Sequence, residues 1–134
     1  MAKFHKIKIK DVYKETDDCS VITFDVPENL AEEFHFRQGQ HLTLKADIEG
    51  EDTRRSYSLC SSPIDKQWQV AVKTIPGGKF STFVNSRLQA GDTLEIMEPS
   101  GMFGVEIEPK KAKNYLFFAA GSGITPIMSI AQTV

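Results

Sequence analysis

The sequence predicts a mainly β fold: a six-stranded antiparallel Greek-key barrel with one capping helix, followed by the first strand and helix start of an α/β unit. Three observations support this prediction. Over about the first hundred residues, short runs rich in Val, Ile, Thr, Phe and Leu alternate with clusters of turn-forming residues. One amphipathic segment follows Gly77-Gly78, and a continuous apolar run begins at Tyr115. The length of 134 residues suits one compact domain with part of a second.

Six segments have the composition of half-buried strands, and Gly, Pro, Asp, Asn or Ser residues separate them. The predicted strands are residues 4–13, 21–26, 41–48, 55–60, 68–75 and 93–97. Residues 27–33 are predicted to form a short helical turn, and Gly50-Glu51-Asp52 is predicted to be a hairpin tip.

One segment has the period of a helix rather than a strand. The apolar residues that fall on its single face are Phe80, Phe83, Val84 and Leu88. Gly91 is placed to end the helix. A helix with one apolar face is predicted to cap an end of the barrel.

A domain boundary is predicted where the hydrophobic pattern pauses, in the charged segment 108–114. The predicted domains are residues 1–110 and residues 111–134. The apolar run 115–120 is typical of a strand buried in a parallel sheet, and a glycine turn with a helix start follows it. Because a parallel sheet needs complete strand–helix–strand repeats, we expect this second unit to be truncated.

Composition excludes several classes of function. Sixteen Lys and Arg against eighteen Asp and Glu give a net charge of −2, and no basic stripe is present, so we expect no nucleic-acid partner. No apolar run is long enough to cross a bilayer, so we expect no membrane partner. Cys19 and Cys60 form no CxxC pair, which argues against a disulfide framework and favours a reducing, cytoplasmic location.

Metal chemistry is not expected from this chain either. Its two cysteines cannot supply the four ligands of a plant-type iron–sulfur cluster. The three histidines, His5, His35 and His41, lack metal-ligand spacing and are interpreted as surface or structural residues. Cys60 is interpreted as a small buried thiol, and Phe103 as a core aromatic at a tight turn.

The first motif with chemical content is Arg55-Ser56-Tyr57-Ser58. An arginine presents a planar fork of donors that suits a pyrophosphate, and a tyrosine offers a flat face for stacking on a fused ring. Arg55 and Tyr57 share one face of a strand, so Ser58 would have to be turned inward by the strand end. The alternative is an ordinary half-buried strand with a surface salt bridge.

The second motif is Gly77-Gly78-Lys79-Phe80-Ser81-Thr82, in which two glycines lead into the predicted helix. Free backbone N–H groups, the positive end of the helix dipole and two hydroxyls converge there, which suits a phosphate. In the alternative interpretation the glycines form a turn and Ser81 or Thr82 caps the helix.

The third motif is Gly121-x-Gly123-x-x-Pro126, which follows the predicted buried strand and opens a helix. This is the context of a dinucleotide-binding turn, and proline is tolerated in a first helical turn. The alternative is a strand-to-helix connection without a ligand.

The order of these motifs resembles one family, the ferredoxin-NADP reductase superfamily of flavoprotein reductases, over nearly the whole chain. Phe36-x-x-Gly39-Gln40 is similar to its early barrel motif, and the three motifs above are similar to its flavin, pyrophosphate and nicotinamide motifs. Within the superfamily, the glycine motifs most resemble reductase components of bacterial multicomponent oxygenases, in particular the reductase subunits of phenylacetyl-CoA oxygenases.

The resemblance implies an FAD cofactor, NAD(P)H as substrate and an FAD-dependent oxidoreductase. Such oxygenase reductases often carry a [2Fe-2S] cluster in a further carboxyl-terminal domain, which is expected to be absent here. An iron–sulfur domain or protein and an oxygenase component are therefore implied as partners. Turnover by these residues alone is not expected. Hydride would pass from the nicotinamide to N5 of the flavin.

Residue roles follow from the same resemblance. Ser58 is implied near N5 as the catalytic residue, Tyr57 beside the isoalloxazine and Arg55 at the pyrophosphate. The full set implied to bind FAD is Arg55, Ser56, Tyr57, Ser58, Val72, Lys73, Thr74, Gly78, Lys79, Phe80, Ser81, Thr82 and Thr125. The set implied to bind the nicotinamide is Gly121, Gly123, Thr125 and Pro126.

Two rival functions remain open from the sequence. One is a non-enzymatic barrel that binds an oligonucleotide or a protein, since small Greek-key barrels host many such uses. The other is a flavin-bearing electron-transfer subunit that never meets a nicotinamide.

Overall fold

The structure is a computed structural model and describes residues 3–134. Six strands form one antiparallel sheet in the spatial order β4-β3-β6-β1-β2-β5. The strands are β1 (Phe4–Thr16), β2 (Cys19–Asp25), β3 (His41–Ile48), β4 (Glu51–Ser58), β5 (Trp68–Lys73) and β6 (Thr93–Met97). The chain crosses from β2 to β3 past two other strands, which is the Greek-key connection. The predicted mainly β class with six antiparallel strands is confirmed.

Helices are few and short. The two α-helices are α1 (Lys79–Ser86) and α2 (Ile124–Thr133), and short 3-10 turns lie at Glu28–Leu30, Pro63–Asp65 and Gly121–Gly123. Neither α-helix, nor any other helix within residues 3–134, is long and apolar enough to span a membrane.

The sheet curls until its two edge strands, β4 and β5, nearly meet. Within residues 3–134, backbone pairing between these edges is a single isolated bridge at Leu59 and Val70, reinforced by the Cys60 N–H, which donates to Gln69 O at 2.9 Å. Before Leu59 the two strands are not paired within residues 3–134. We call this gap, bounded by Arg55 and Tyr57 of β4 and Lys73 of β5, the β4–β5 seam.

The inner face of the curled sheet is filled with aliphatic side chains. Those with at most 1% exposure include Ile7, Ile9, Ile22, Leu42, Leu44, Leu59, Val70, Val72 and Ile96. Helix α1 closes one end of this core with Phe80 and Val84, each 1% exposed. Burying such side chains contributes about 1.5–3 kcal/mol each relative to leaving them in water, so the barrel is the stable part of the chain.

Helix α1 is fastened to the barrel by one buried network. Asn85 donates its side-chain N–H groups to Val72 O at 3.0 Å and to Ser81 O at 2.9 Å. The Ser20 hydroxyl donates to Asn85 Oδ1 at 2.7 Å. Because these bonds join α1, β5 and β2, they fix the position of the first turn of α1 against the seam.

The end of α1 differs from the prediction. The helix stops at Ser86, and Arg87 leaves helical geometry at φ −126°. Gly91, expected to end the helix, instead lies in the turn before β6 with φ +95°, and its N–H donates to Ile9 O at 2.9 Å. The glycine serves the helix-to-strand turn rather than the helix end.

Strand β4 begins earlier than predicted because the hairpin turn is tighter. Glu49 and Gly50 have φ values of +54° and +81°, so a two-residue turn places Ile48 opposite Glu51 at once. Strand β5 ends at Lys73 rather than Ile75, since the Ile75 N–H leaves the sheet and donates to Ser81 Oγ at 3.0 Å.

The strand predicted at 115–120 does not form within the described residues. Residues 112–120 are irregular, and no strand in the range 3–134 lies beside them to share backbone hydrogen bonds. Leu116 and Phe118 are 81% and 82% exposed, so the predicted burial is wrong for the residues described. The glycine turn and helix α2 form as predicted.

Two loops touch closely at Gly39. Its φ is +90°, and a Cβ at this position would lie 1.3 Å from Phe103 O. Beside it, the 2%-exposed Gln38 donates from Nε2 to Val105 O and accepts from the Val105 N–H at 3.0 Å. The contact therefore admits no side chain at Gly39.

We predict that Gly39→Ala destabilises the fold far more than Gly50→Ala, which also has positive φ but has no atom within 4 Å of an added Cβ. The left-handed backbone costs about 1–2 kcal/mol at either position. The collision adds to it at Gly39, for a total of at least about 3 kcal/mol. Urea unfolding of both variants measures the difference, and equal losses would show that the loops separate freely.

Candidate functional site

Two of the three motifs meet at one cleft of about 500 Å³ between the end of β4 and the start of α2. Ser58 comes from the first motif, and Gly123 and Pro126 come from the third. The other lining residues are Gly39, His41, Gly101, Met102, Phe103, Phe118, Ala119, Ala120 and Ile127. Motifs separated by more than sixty residues in sequence are thus brought to one surface.

Alternation along β4 divides the first motif between two faces. Arg55 and Tyr57 lie opposite the buried Leu44 and Leu42, whereas Ser58 lies opposite His41. Ser58 is therefore not turned to the side of Tyr57, contrary to the sequence expectation. A planar ligand that lies across the end of this edge strand touches residues of both faces.

Ser56 lies on the same face as Ser58 but is engaged within the sheet. Its hydroxyl and that of Thr43, directly opposite on β3, are 3.0 Å apart. The structure therefore gives Ser56 a cross-strand partner and does not place it in the cleft.

Two neighbouring arginines have different surroundings. Arg54 binds both oxygens of Asp52 at 3.2 Å and lies over the Phe4 ring, with its guanidinium carbon 4.9 Å from the ring centre. Arg55 donates to the Arg54 carbonyl, and no carboxylate of residues 3–134 lies within ion-pair distance of it. Arg55 is therefore a cation at the seam that is open to an anionic ligand.

Tyr57 is half-buried against α1. Its ring centre lies 6.0 Å from that of Phe80, with the planes tilted by 34°. Burial raises the pKa of Tyr57, and the Arg55 guanidinium opposes this with a smaller effect. The phenol therefore stays protonated at neutral pH, and part of its ring remains exposed for stacking.

The first turn of α1 lies close to the seam, with Gly78 as its N-cap. The N–H groups of the first turn have no acceptor within the helix, so they can bind an anion. Thr82 is exposed, whereas Phe80 is buried and offers only its backbone.

The Ser81 side chain is placed differently from the prediction. It is 3% exposed and accepts the Ile75 N–H at 3.0 Å. A Cβ on Gly78 would approach Ser81 Oγ to 2.7 Å. The Ser81 hydroxyl therefore holds the glycine turn in place, and only its backbone N–H, which has no acceptor within the helix, remains for an anion.

Lys79, the first residue of α1, pairs with Glu51 at the beginning of β4. Hydrogen bonding from Lys79 is the main cause that lowers the pKa of the Glu51 carboxyl. Both side chains are exposed, so the pair is screened by solvent and contributes little to stability. Lys79 is thus shared between Glu51 and any anion at the helix start.

On β5, only one of the three predicted residues has its backbone directed toward the seam. The Thr74 N–H donates to Asp18 O at 2.7 Å, so by antiparallel alternation Val72 also faces β2. Lys73 occupies the alternate position, and its backbone N–H and C=O face the seam. The Val72 side chain is fully buried and supports the core.

The glycine turn before α2 contributes two of its four predicted residues to the cleft lining, Gly123 and Pro126. Gly121 has φ +57° and makes the turn. Thr125 donates its hydroxyl to Ser122 O at 3.0 Å, which stabilises the first helical turn. Gly121 and Thr125 are therefore close to the cleft without lining it.

Sequence reasoning missed several lining residues. Phe103 was expected in the core but is 58% exposed and lines the cleft. Its backbone carbonyl packs directly against Gly39, and this contact keeps the loop outside the barrel. His41 also lines the cleft, and its Nε2 lies 3.2 Å from Ser100 Oγ. The glycines at positions 39, 101 and 104 are the sequence signal that could have indicated a close approach of these two loops.

Both cysteines are free thiols, and the structure gives neither of them reactive surroundings. Burial raises the pKa of Cys60 to about 11, and it raises that of Cys19 as well. Within residues 3–134 no group of His, Cys, Asp and Glu has the arrangement of a metal site.

A family model described as an oxidoreductase FAD-binding domain matches residues 6–104. Over 133 residues, the chain is 47% identical to one of the components of 1,2-phenylacetyl-CoA epoxidase from Escherichia coli, a match that covers 99% of this chain and 37% of that protein. Over 131 residues, it is 39% identical to the ferredoxin reductase component of 3-ketosteroid-9-alpha-monooxygenase from Rhodococcus rhodochrous, with 95% and 36% covered. The chain thus spans little more than a third of these relatives.

Solved structures agree on the fold. Phthalate dioxygenase reductase, described as a modular structure for electron transfer from pyridine nucleotides to [2Fe-2S], superposes with a TM-score of 0.77 at 27% identity, and the match covers 97% of this chain and 39% of that one. A ferredoxin NADP+ reductase from Neisseria gonorrhoeae, solved with bound FAD and NADP, gives 0.74 at 24% identity, with 99% and 52% covered.

We predict that Cys60 reacts slowly with iodoacetamide in the folded protein. With a pKa of about 11 against an ordinary 9.0, its thiolate fraction at pH 8 is about a hundredfold lower than in the unfolded chain. Alkylation followed by mass spectrometry in a Cys19→Ser background measures the rate, with the urea-unfolded protein as control.

The sign of the associated stability change follows from the raised pKa. Cys60 protonation stabilises the fold fully below about pH 9, and this contribution is lost as the pH rises through about 11. Equal alkylation rates in folded and unfolded protein would contradict the burial of this thiol.

Proposed function

This chain belongs to the FAD-binding domain family of oxidoreductases, and from that premise we propose that it is the flavin-holding module of a reductase that takes electrons from NAD(P)H. The observation that carries the proposal is the cleft that Ser58 shares with Gly123 and Pro126. The cleft lies between the end of a barrel strand and the start of a helix. This position suits two planar ring systems that must meet face to face.

The residues at the seam fit the two halves of FAD. Arg55, which has no carboxylate partner in residues 3–134, and the backbone N–H groups at the start of α1 suit the pyrophosphate. The exposed part of the Tyr57 ring suits stacking, and the Lys73 backbone offers one donor and one acceptor to the edge of a flavin ring. These groups would hold the cofactor.

FAD, when bound, would supply the acceptor for a hydride and the means to release electrons one at a time. This chain would then orient the two reacting rings and shield them from water. Ser58 lines the cleft at the end of β4 and can offer its hydroxyl there. Phe103 and Phe118 cover the same cleft with apolar surface, which limits the access of water to the reacting atoms.

Partners are proposed from the relatives. Reductase components of oxygenase systems stand among them, and one relative is a component of a phenylacetyl-CoA epoxidase. We therefore propose an iron–sulfur domain or protein as the first electron acceptor. An oxygenase component, such as phenylacetyl-CoA oxygenase, is proposed as the final electron acceptor. The direct use of NAD(P)H is supported by the glycine turn at Gly121 and Gly123 beside the cleft.

The division of the chain is part of the same proposal. We propose residues 1–110 as the FAD-binding domain and residues 111–134 as the beginning of the NAD(P)-binding domain. The family match, which ends at residue 104, supports a boundary in this region. Two free thiols support a reducing, cytoplasmic location.

We predict that Arg55→Ala weakens FAD binding by about 10- to 100-fold, because hydrogen bonds to a charged group contribute about 1.5–3 kcal/mol. Titration of apoprotein with FAD, followed by flavin fluorescence, measures the affinity. Arg54→Ala is the matched control, since that guanidinium is already bound to Asp52. Unchanged affinity in Arg55→Ala would refute the pyrophosphate role, and a chain that takes up no FAD would favour the non-enzymatic barrel.

We predict that Ser58→Ala slows flavin reduction by NAD(P)H about tenfold in the full-length protein, because one hydrogen bond at the reacting edge is lost. FAD affinity should change less than about threefold, since the pyrophosphate contacts remain. Ser58→Thr keeps a hydroxyl and should retain most of the rate. Stopped-flow absorbance measures reduction, and a wild-type rate in Ser58→Ala would remove this residue from the reaction.

A further inference from the structure

Helix α2 is held to the barrel by hydroxyl groups. We call Ser61, Ser62, Ser129 and Thr133 the hydroxyl latch. The two residues from the barrel follow the end of β4, and the two from α2 lie one helical turn apart on the same face. Ser129 is fully buried, Ser62 is 1% exposed and Ser61 is 3% exposed. These three side chains are therefore withdrawn from solvent.

The donor and the acceptor of each latch hydrogen bond can be assigned without conflict. Thr133 donates to Ser129 O at 2.7 Å, so its one proton is used, and Ser62 must donate to Thr133 Oγ1 at 2.9 Å. Ser129 donates to Ser61 O at 2.6 Å. The Ser61 hydroxyl donates in turn to Gln67 O at 2.7 Å. Each hydroxyl thus donates one bond, and the latch needs no charged group.

The barrel side of the latch is itself anchored. Ser61 Oγ accepts the Gln69 N–H at 3.2 Å, and Ser62 Oγ accepts the Ile64 N–H at 3.2 Å. The loop that receives α2 is therefore bonded to β5 through Ser61, and this bond supports the barrel side of the latch.

The latch acts on the same cleft as the proposed reaction. On the barrel side, Ser61 and Ser62 lie three and four residues after Ser58. On the helix side, Ser129 lies three residues after Pro126, which lines the cleft with Ser58. Holding Ser129 against Ser61 therefore sets the separation of the two cleft walls.

We propose that the hydroxyl latch positions the start of α2 over Ser58 and so fixes the distance at which a nicotinamide meets the flavin. The inference rests on the proposed function and adds positioning residues to it. The four latch residues do not line the cleft. Their effect arises because reaction rates fall steeply when reacting groups are displaced by as little as about 1 Å.

The test compares Thr133→Val with Thr133→Ser in the full-length protein. Valine matches threonine in shape but removes the hydroxyl that Ser62 and Ser129 use, whereas serine retains it. Ser86→Ala in α1 is the matched control. The Ser86 hydroxyl donates to the carbonyl four residues earlier, as Thr133 does, but it is exposed and, within residues 3–134, makes no bond to another element. Hydrogen exchange of the α2 amides reports the latch without any cofactor chemistry.

We expect faster exchange of α2 amides in Thr133→Val and Ser62→Ala, and a limiting rate of flavin reduction that is lower by about tenfold or more, with unchanged FAD affinity. In the double variant Ser62→Ala/Thr133→Val the flavin should be reduced about as fast as in the slower single variant, because each substitution already removes the bond between the two hydroxyls. Thr133→Ser and Ser86→Ala should match the unmodified protein.

Two results would overturn the proposal. Unchanged exchange in Thr133→Val would show that the hydroxyls do not hold α2. Faster hydrogen exchange with a wild-type rate of flavin reduction would show that the hydroxyls hold α2 without setting its position over Ser58. If the unmodified protein binds no FAD or is not reduced by NAD(P)H, the proposed function fails, and the exchange result alone then decides whether the latch holds α2.

Discussion

The site depends on the incomplete closure of the barrel. The single bridge between Leu59 and Val70 joins the sheet edges at one point and leaves β4 and β5 unpaired before it, within the part of the chain that the structure describes. Unpaired strand edges carry free N–H and C=O groups that need a partner. Here Arg55, Tyr57 and the Lys73 backbone stand at that edge, so the gap that weakens the barrel is also where a ligand has the most to bind.

The two arginines beside this gap differ in whether a carboxylate already pairs with them. Asp52 neutralises Arg54 on one side of β4, and hydrogen bonding from Arg54 lowers the pKa of the Asp52 carboxyl. Arg55, one residue later, is directed to the seam, and the hydrogen bond that it donates goes to a backbone carbonyl. Alternation along a single strand is sufficient to produce this difference.

The sequence predicted the barrel well because strand periodicity and turn residues are local signals. Two of the six strands, β3 and β6, begin and end where predicted. The positions of Ser81 and Phe103 were not predictable in this way. Ser81 turns inward because the nearby Ile75 N–H needs an acceptor, and Phe103 turns outward because its carbonyl meets Gly39. Both outcomes depend on tertiary contacts that leave no periodic trace.

The hydroxyl latch also has a consequence for how easily the cleft opens. Its bonds join neutral groups, each contributing only about 0.5–1.5 kcal/mol net, so none of them is strong. The chain between Val105, which Gln38 holds to the barrel, and Ser129 acts as a tether that keeps the separated surfaces near one another. Breaking the latch would therefore be nearly independent of ionic strength, because no charged pair has to be separated.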